Sequence, residues 1–197
     1  MDTLQKLASI FERFPGIGPR QAGRFVQHLL KTSPAIRREL ADAIQQLSRA
    51  VSQCSDCQRF HEGEKGACKR CATTRDRTLV MVVASDADAD AMERSRTYSG
   101  TYFILGGTVT LGAQDQPHLR DRELLALLKR RAGETEEIIL AFPANPEGDA
   151  TAAHARGVIE EAYPTLPIHM LGRGLSTGSE LEYADAETLR YALENRA

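Results

Sequence analysis

The apolar positions Leu4, Leu7, Ala8 and Phe11 return every three or four residues, which predicts one face of a helix. The stretch FPGIGPR interrupts that pattern. A second helix is predicted from about Pro19 to Leu30, with Ala22, Phe25, Val26, Leu29 and Leu30 turned inward. Ser33-Pro34 reads as an N-cap and first helical residue, opening a third helix that reaches roughly Val51. From Thr78 the rhythm changes. The strand-like runs TLVMVVA, TYFILGG, EIILAFP and PIHML alternate with helical stretches at about 88–96, 121–131, 149–162 and 186–194. Strands and helices in that order predict βαβ units and a mostly parallel sheet. No internal repeat or low-complexity linker breaks the chain.

Composition narrows the function classes. The 197 residues are 42% hydrophobic and 26% charged, with no tryptophan, ordinary values for a water-soluble protein. No apolar run is long enough for a transmembrane helix, and MDTLQKLASIFERF has no signal-peptide pattern, so a cytoplasmic protein is expected. The net charge of −2 hides an asymmetry. Residues 1–50 hold eight Lys/Arg against four Asp/Glu, residues 51–77 six against four, and the remainder eleven against nineteen. A basic front on an acidic back permits a nucleic-acid surface at the front.

All four cysteines fall within 18 residues, as Cys54-Ser-Asp-Cys57 and Cys68-Lys-Arg-Cys71 with ten residues between. Each CxxC knuckle directs two thiolates at one ion, and four thiolates complete a closed tetrahedral shell. The expected cofactor is therefore one structural Zn²⁺ per chain, with Lys65, Lys69 and Arg70 offsetting the charge of the thiolates. Two redox dithiols are the alternative, and His61 reads as a loop residue more than a substitute ligand.

Phe14-Pro-Gly-Ile-Gly-Pro19 lies between two helices and is followed by Arg20 and Arg24. Gly16 and Gly18 allow a tight turn whose amides face outward at a helix start, where the helix dipole favours phosphate. Arg20 and Arg24, four apart, share one face beside it. The pattern is that of a helix-hairpin-helix turn gripping a DNA backbone without reading sequence. An ordinary helix corner is the plainer alternative.

Two other motifs fail on chemistry. GLSTG around Ser176 matches a nucleophile elbow, but no histidine follows His169, so the order Ser, Asp, His cannot be completed. A loop is expected there instead. In VVASDADADAMER, Asp86, Asp88 and Asp90 suggest a cation site, yet an EF-hand counted from Asp86 would need glycine at Ala91 and glutamate at Thr97. Glu147 and Asp149, after the third strand, are a second acidic cluster that a magnesium site would recruit.

The order FPGIGPRQAGRFVQHLL, CxxC-x₁₀-CxxC, YFILGG, PEGDAT, RGLSTGSELEYAD resembles the bacterial RecR family of recombination mediators across nearly the whole chain. The resemblance implies a multidomain α+β protein. Its parts would be a helix-hairpin-helix domain at 1–52, a four-cysteine zinc module at 53–77, an α/β Toprim domain at 78–172 and a C-terminal segment at 173–197. It also implies homo-oligomers, a dimer or tetramer, that clamp DNA and act with RecO and possibly RecF to help load RecA. Three positions depart from the family pattern. Ala84 stands where Toprim enzymes carry the strand-end glutamate of their acid–base chemistry, Pro143-Ala144 replaces an Asn-Pro, and TVTLGAQDQPHL replaces a Pro-Leu-Asp-Gly type loop. The chain is accordingly read as a non-enzymatic DNA-binding mediator, with no catalytic residues. The acidic run is expected to be solvated or to face a partner, with Glu147 and Asp149 on a partner-facing surface. A Mg²⁺-dependent Toprim nuclease or primase-like enzyme is the alternative.

Overall fold

In a computed structural model, every residue is described except 1, 114, 176, 177, 179 and 195–197, so Ser176 and the centre of GLSTG lie outside the described residues. Residues 1–51 and 52–197 form two compact units.

The first unit is helical. Asp2 opens α1 (Thr3–Phe11) with a capping box to Gln5, and Ser33 caps α3 (Pro34–Ala50) by accepting from the Ile36 amide. Between them α2 (Pro19–Lys31) buries Ala22 and Val26. Phe11 meets Phe25 edge-on, with ring centroids 5.6 Å apart. The inward set expected for α2 is narrower than the periodicity implies: Phe25 is 36% and Leu30 52% exposed. Three helices give too little surface to enclose that whole stripe. None of the residues of α3 is buried at all, although Ile36, Leu40, Ile44 and Leu47 form one apolar stripe along it.

A short two-stranded sheet follows, β1 (Val51–Gln53) with β2 (Phe60–Glu62), and then a one-turn helix α4 (Lys69–Ala72). The main sheet is four-stranded and parallel in the order β4-β3-β5-β6, with β3 at Asp76–Val83, β4 at Gly100–Ile104, β5 at Glu137–Ala141 and β6 at Ile168–Met170. Alternation along β3 sets the layers. Val80 and Val82 pack with Leu124, Leu127 and Leu128 of α6 (Asp121–Arg130) and Ala152, Ala155 and Ile159 of α7 (Pro146–Ala162), whereas Met81 and Val83 pack with Ala89 of α5 (Asp86–Ser95). The chain steps from β3 to one side and then returns across it to β5 and β6. Right-handed crossovers in opposite directions place α5 on one face and α6 and α7 on the other. A C-terminal helix α8 (Ala186–Glu194) follows. The elements expected from Thr78 onward are all present, with ends shifted by up to three residues.

Candidate metal centre and nucleic-acid interface

The knuckles are shaped by their own backbone. Gln58 turns left-handed (φ 63°) after Cys57, its amide bonded to the Cys54 carbonyl, and the Ser55 amide reaches the Gly66 carbonyl at 3.0 Å. These turns bring the four sulfur atoms of Cys54, Cys57, Cys68 and Cys71 within 4.8 Å of one another, three of the residues being buried. Cys57 and Cys68 sulfurs are 3.7 Å apart. Metal–sulfur bonds of about 2.3 Å in a tetrahedron require sulfur–sulfur edges of about 3.8 Å. The donor set therefore fits a single soft dication. Amides of Asp56 and Cys68 point at the Cys54 sulfur, at 3.4 and 3.2 Å, as they would toward a thiolate. Hydrogen bonds from the Cys57 and Cys71 thiols push the Cys54 thiol far down, while the same contacts to Cys54 push Cys57 up and Cys71 up to about 12. A metal ion binds cysteines as thiolates, so its arrival would displace protons from this cluster. His61 bonds its neighbour's carbonyl at 3.2 Å and stands outside the sulfur cluster.

Around the cysteines, a main-chain amide and two arginines of the α/β domain satisfy backbone carbonyls of the first knuckle. Ile104, at the end of β4, donates its amide to the Cys57 carbonyl at 2.9 Å. Arg120 donates to the Gln58 carbonyl at 3.0 Å and Arg130 to the Ser55 carbonyl at 2.9 Å. The β4 edge, which would otherwise be open, is thereby covered at that point.

The acidic run contributes to the same seat. Asp88 accepts from the Ser85 amide and hydroxyl at 2.9 and 2.7 Å, capping α5. Asp90 accepts from Arg70 at 2.8 Å and Arg59 at 3.1 Å, and Arg75 grips both oxygens of Glu93 at 2.6 Å. Asp86 lies 3.5 Å from Arg59, but the two facing atoms are buried without a hydrogen-bond partner. Burial consequently wins over the nearby arginine and pushes the Asp86 carboxyl up, while the Arg70 hydrogen bond holds Asp90 below the usual range. The expectation of solvated or partner-facing aspartates is thus corrected for Asp86 and Asp90. The Arg70 guanidinium pairs with Asp90 and Glu93, because α5 presents residues 86, 90 and 93 on one helical face. Sequence reasoning missed Arg59, Arg75, Arg120 and Arg130, since lone arginines at long range leave no spacing signal.

At the C-terminal ends of β3 and β5, where the strand order reverses, α/β proteins usually build their ligand sites. Here Ala84 is 5% exposed and its carbonyl accepts from the Gly106 amide at 3.1 Å. Asn145 caps α7, and Asp149 is ion-paired to Arg173, which lies over the Tyr191 ring at 5.2 Å. That pair lines a cavity of about 400 Å³ with Asn145, Asp185, Thr188 and Tyr191. Glu147 is half-buried and has no ion-pair partner among the described residues. Among those residues the four cysteines are the one group of three or more potential ligands gathered around a common point.

In the helical unit, Gly16 takes a left-handed φ of 77° that completes the corner after α1, and Gly18 stands at the N-cap of α2 with no side-chain cap. Pro19 follows at the first helical position, leaving the first-turn amides without a side-chain partner. Arg20 and Arg24 are exposed one turn apart and carry no ion pair among the described residues.

Three family models match the chain. The helix-hairpin-helix of RecR matches residues 4–48, the Toprim domain residues 78–166 and the RecR C-terminal segment residues 174–197. Recombination protein RecR of Synechococcus sp. (strain WH7803) is 38% identical over 195 residues, covering 98% of this chain and 94% of that protein. The chain belongs to the RecR family. Recombination protein RecR of Nocardia farcinica is 36% identical over 197 residues, and that of Streptomyces coelicolor 37% over 198. Each of these alignments covers 98% of this chain and 95% or more of the relative. The fold class expected from the sequence holds: a helical hairpin domain, a four-cysteine cluster and a Toprim domain with a parallel sheet. No helix among the described residues is long and apolar enough to cross a membrane.

Proposed function

We propose that this chain is a DNA-binding mediator of recombinational repair and not an enzyme. The observation that carries the reading is the start of α2 without a side-chain cap, flanked at the Gly16–Gly18 turn by the exposed Arg20 and Arg24, which have no ion pair among the described residues. Open amides and a helix dipole attract phosphate, and two guanidinium groups one turn apart extend that grip along a backbone. Contacts of this kind go to phosphate oxygens and carry no sequence information, so binding independent of sequence is expected. The domain roles follow: 1–52 contacts DNA, 53–77 holds one structural Zn²⁺ on Cys54, Cys57, Cys68 and Cys71, 78–172 is the Toprim scaffold and 173–197 its C-terminal segment. Zinc would supply a rigid cross-link between the knuckles and, with four sulfurs, would offer no open position for substrate.

Absence of turnover rests on Ala84, whose methyl can neither bind a metal nor move a proton where the related enzymes carry glutamate. The exposed stripe Ile36, Leu40, Ile44 and Leu47 on α3 supports self-association into a dimer or tetramer that encloses DNA. By family resemblance the cytoplasmic partners are RecO and possibly RecF, with RecA loading as the outcome, and Glu147 and Asp149 lie on the partner-facing surface.

The test is binding by the assembled protein. Arg20→Glu with Arg24→Glu should weaken binding to unrelated DNA sequences about equally. It should also flatten the log–log salt slope by roughly 1.8 on duplex for each engaged subunit, as expected for two lost phosphate contacts. An unchanged salt series with the fold intact would remove this turn from the interface.

A further inference from the structure

The two knuckles are not held alike. The first, residues 54–59, is tied to the Toprim domain by the Ile104 amide, Arg120 and Arg130 on its carbonyls, and by Arg59 bridging to Asp86 and Asp90. For residues 67–73, every hydrogen bond and ion pair to the Toprim domain among the described residues runs through Arg70: to Asp90 at 2.8 Å and to Glu93 at 3.6 Å. Its hydrogen bonds to the first knuckle are the Cys68 amide on the Cys54 sulfur and the contact of the Cys68 and Cys57 sulfurs at 3.7 Å.

From this asymmetry we infer that Asp90 is a positioning residue for the metal centre, holding the second knuckle in place so that a Toprim helix governs retention of the ion. The inference rests on the zinc reading above. One carboxylate oxygen of Asp90 accepts from both Arg59 and Arg70, each of which lies next to or two residues from a cysteine, so a single group pins the two halves of the sulfur shell to α5. When the ion leaves, the first knuckle keeps its backbone anchors on β4 and α6, and the second keeps Arg70 as its one side-chain tie to the Toprim domain among the described residues. Cys68 and Cys71 are then the ligands that open first, and the rate of their opening sets the rate of metal loss.

The experiment follows zinc transfer from purified full-length protein to a colorimetric chelator, with zinc content per chain measured beforehand. Asp90→Asn keeps the shape and removes the charge. It should start with one zinc per chain and release it about tenfold faster, the scale of effect usual for groups that orient metal ligands. Arg70→Lys keeps a cation but loses the second arm to Glu93, and should release at an intermediate rate; it carries the test if Asp90→Asn does not fold. Glu134→Gln, which removes an exposed pair with Arg77 at 3.8 Å, should release at the wild-type rate. Hydrogen exchange after metal removal should deprotect 67–73 while 54–59 keeps its protection, a difference that a general loss of stability would not produce. Zinc-containing variants that release at the wild-type rate, or knuckles that open together, would overturn the inference. Wild-type protein that holds no zinc would instead overturn the metal reading beneath it.

Discussion

Gly148 stands at the third position of α7 with the Pro143 carbonyl directly over it, so that an added methyl would overlap backbone oxygen. Helix propensity alone favours alanine over glycine by about 1 kcal/mol. A clash with backbone cannot be relieved by rotating a side chain, and overpacking of this kind costs about 1–3 kcal/mol. The clash should win: Gly148→Ala is expected to lower the denaturation midpoint, and a raised midpoint would show that the α7 start is not fixed this way. The close approach explains why Glu147 and Asp149 flank a glycine, which the sequence shows but cannot account for. Residue chemistry also separates two aspartates of the same run. Burial raises Asp86, and the Arg70 hydrogen bond lowers Asp90. The stabilisation from Asp90 is therefore fully present above the unfolded carboxyl value of about 4 and is lost as pH falls through its depressed folded value. Carboxyl NMR titration should find Asp86 above the ordinary value and Asp90 below it; the reverse order would contradict the arrangement of Arg59 and Arg70.

At the scale of elements, α3 is the outlier. Its apolar stripe is 43–61% exposed at Ile36, Leu40, Ile44 and Leu47, and covering the exposed half of each such side chain contributes about half of the roughly 1.5–3 kcal/mol that full burial gives. Ile44→Glu with Leu47→Glu should reduce the mass of the assembly in solution while leaving helix content unchanged. Wild-type mass in both would remove α3 from the contact. The cysteine knuckles give the complementary case: Cys57→Ser or Cys68→Ser should abolish the stoichiometric zinc and lower thermal stability. Much of this level was legible beforehand. The cap at Ser33, the alternating strands and the CxxC spacings are local signals, and local signals survive in a sequence. What stayed hidden is long-range: Arg59 and Arg70 meet Asp90 across 31 and 20 residues, and Arg130 meets Ser55 across 75. The α2 stripe misled for the opposite reason, because periodicity records which face is apolar and not how much neighbouring surface exists to cover it.

The whole molecule combines a basic helical hairpin, a four-cysteine module and a Toprim domain with Ala84 at the end of its first strand. On the function proposed above, it holds DNA without cutting or extending it. The direct measurement incubates assembled wild-type protein with labelled single-stranded and duplex DNA, in Mg²⁺ or Mn²⁺ with nucleotides present, and reads binding and product length from the same samples. Salt-sensitive binding that falls in the Arg20→Glu, Arg24→Glu protein is expected, with DNA length unchanged throughout. Cleavage or extension by the wild type that disappears in the Glu147→Ala, Asp149→Ala protein would contradict it.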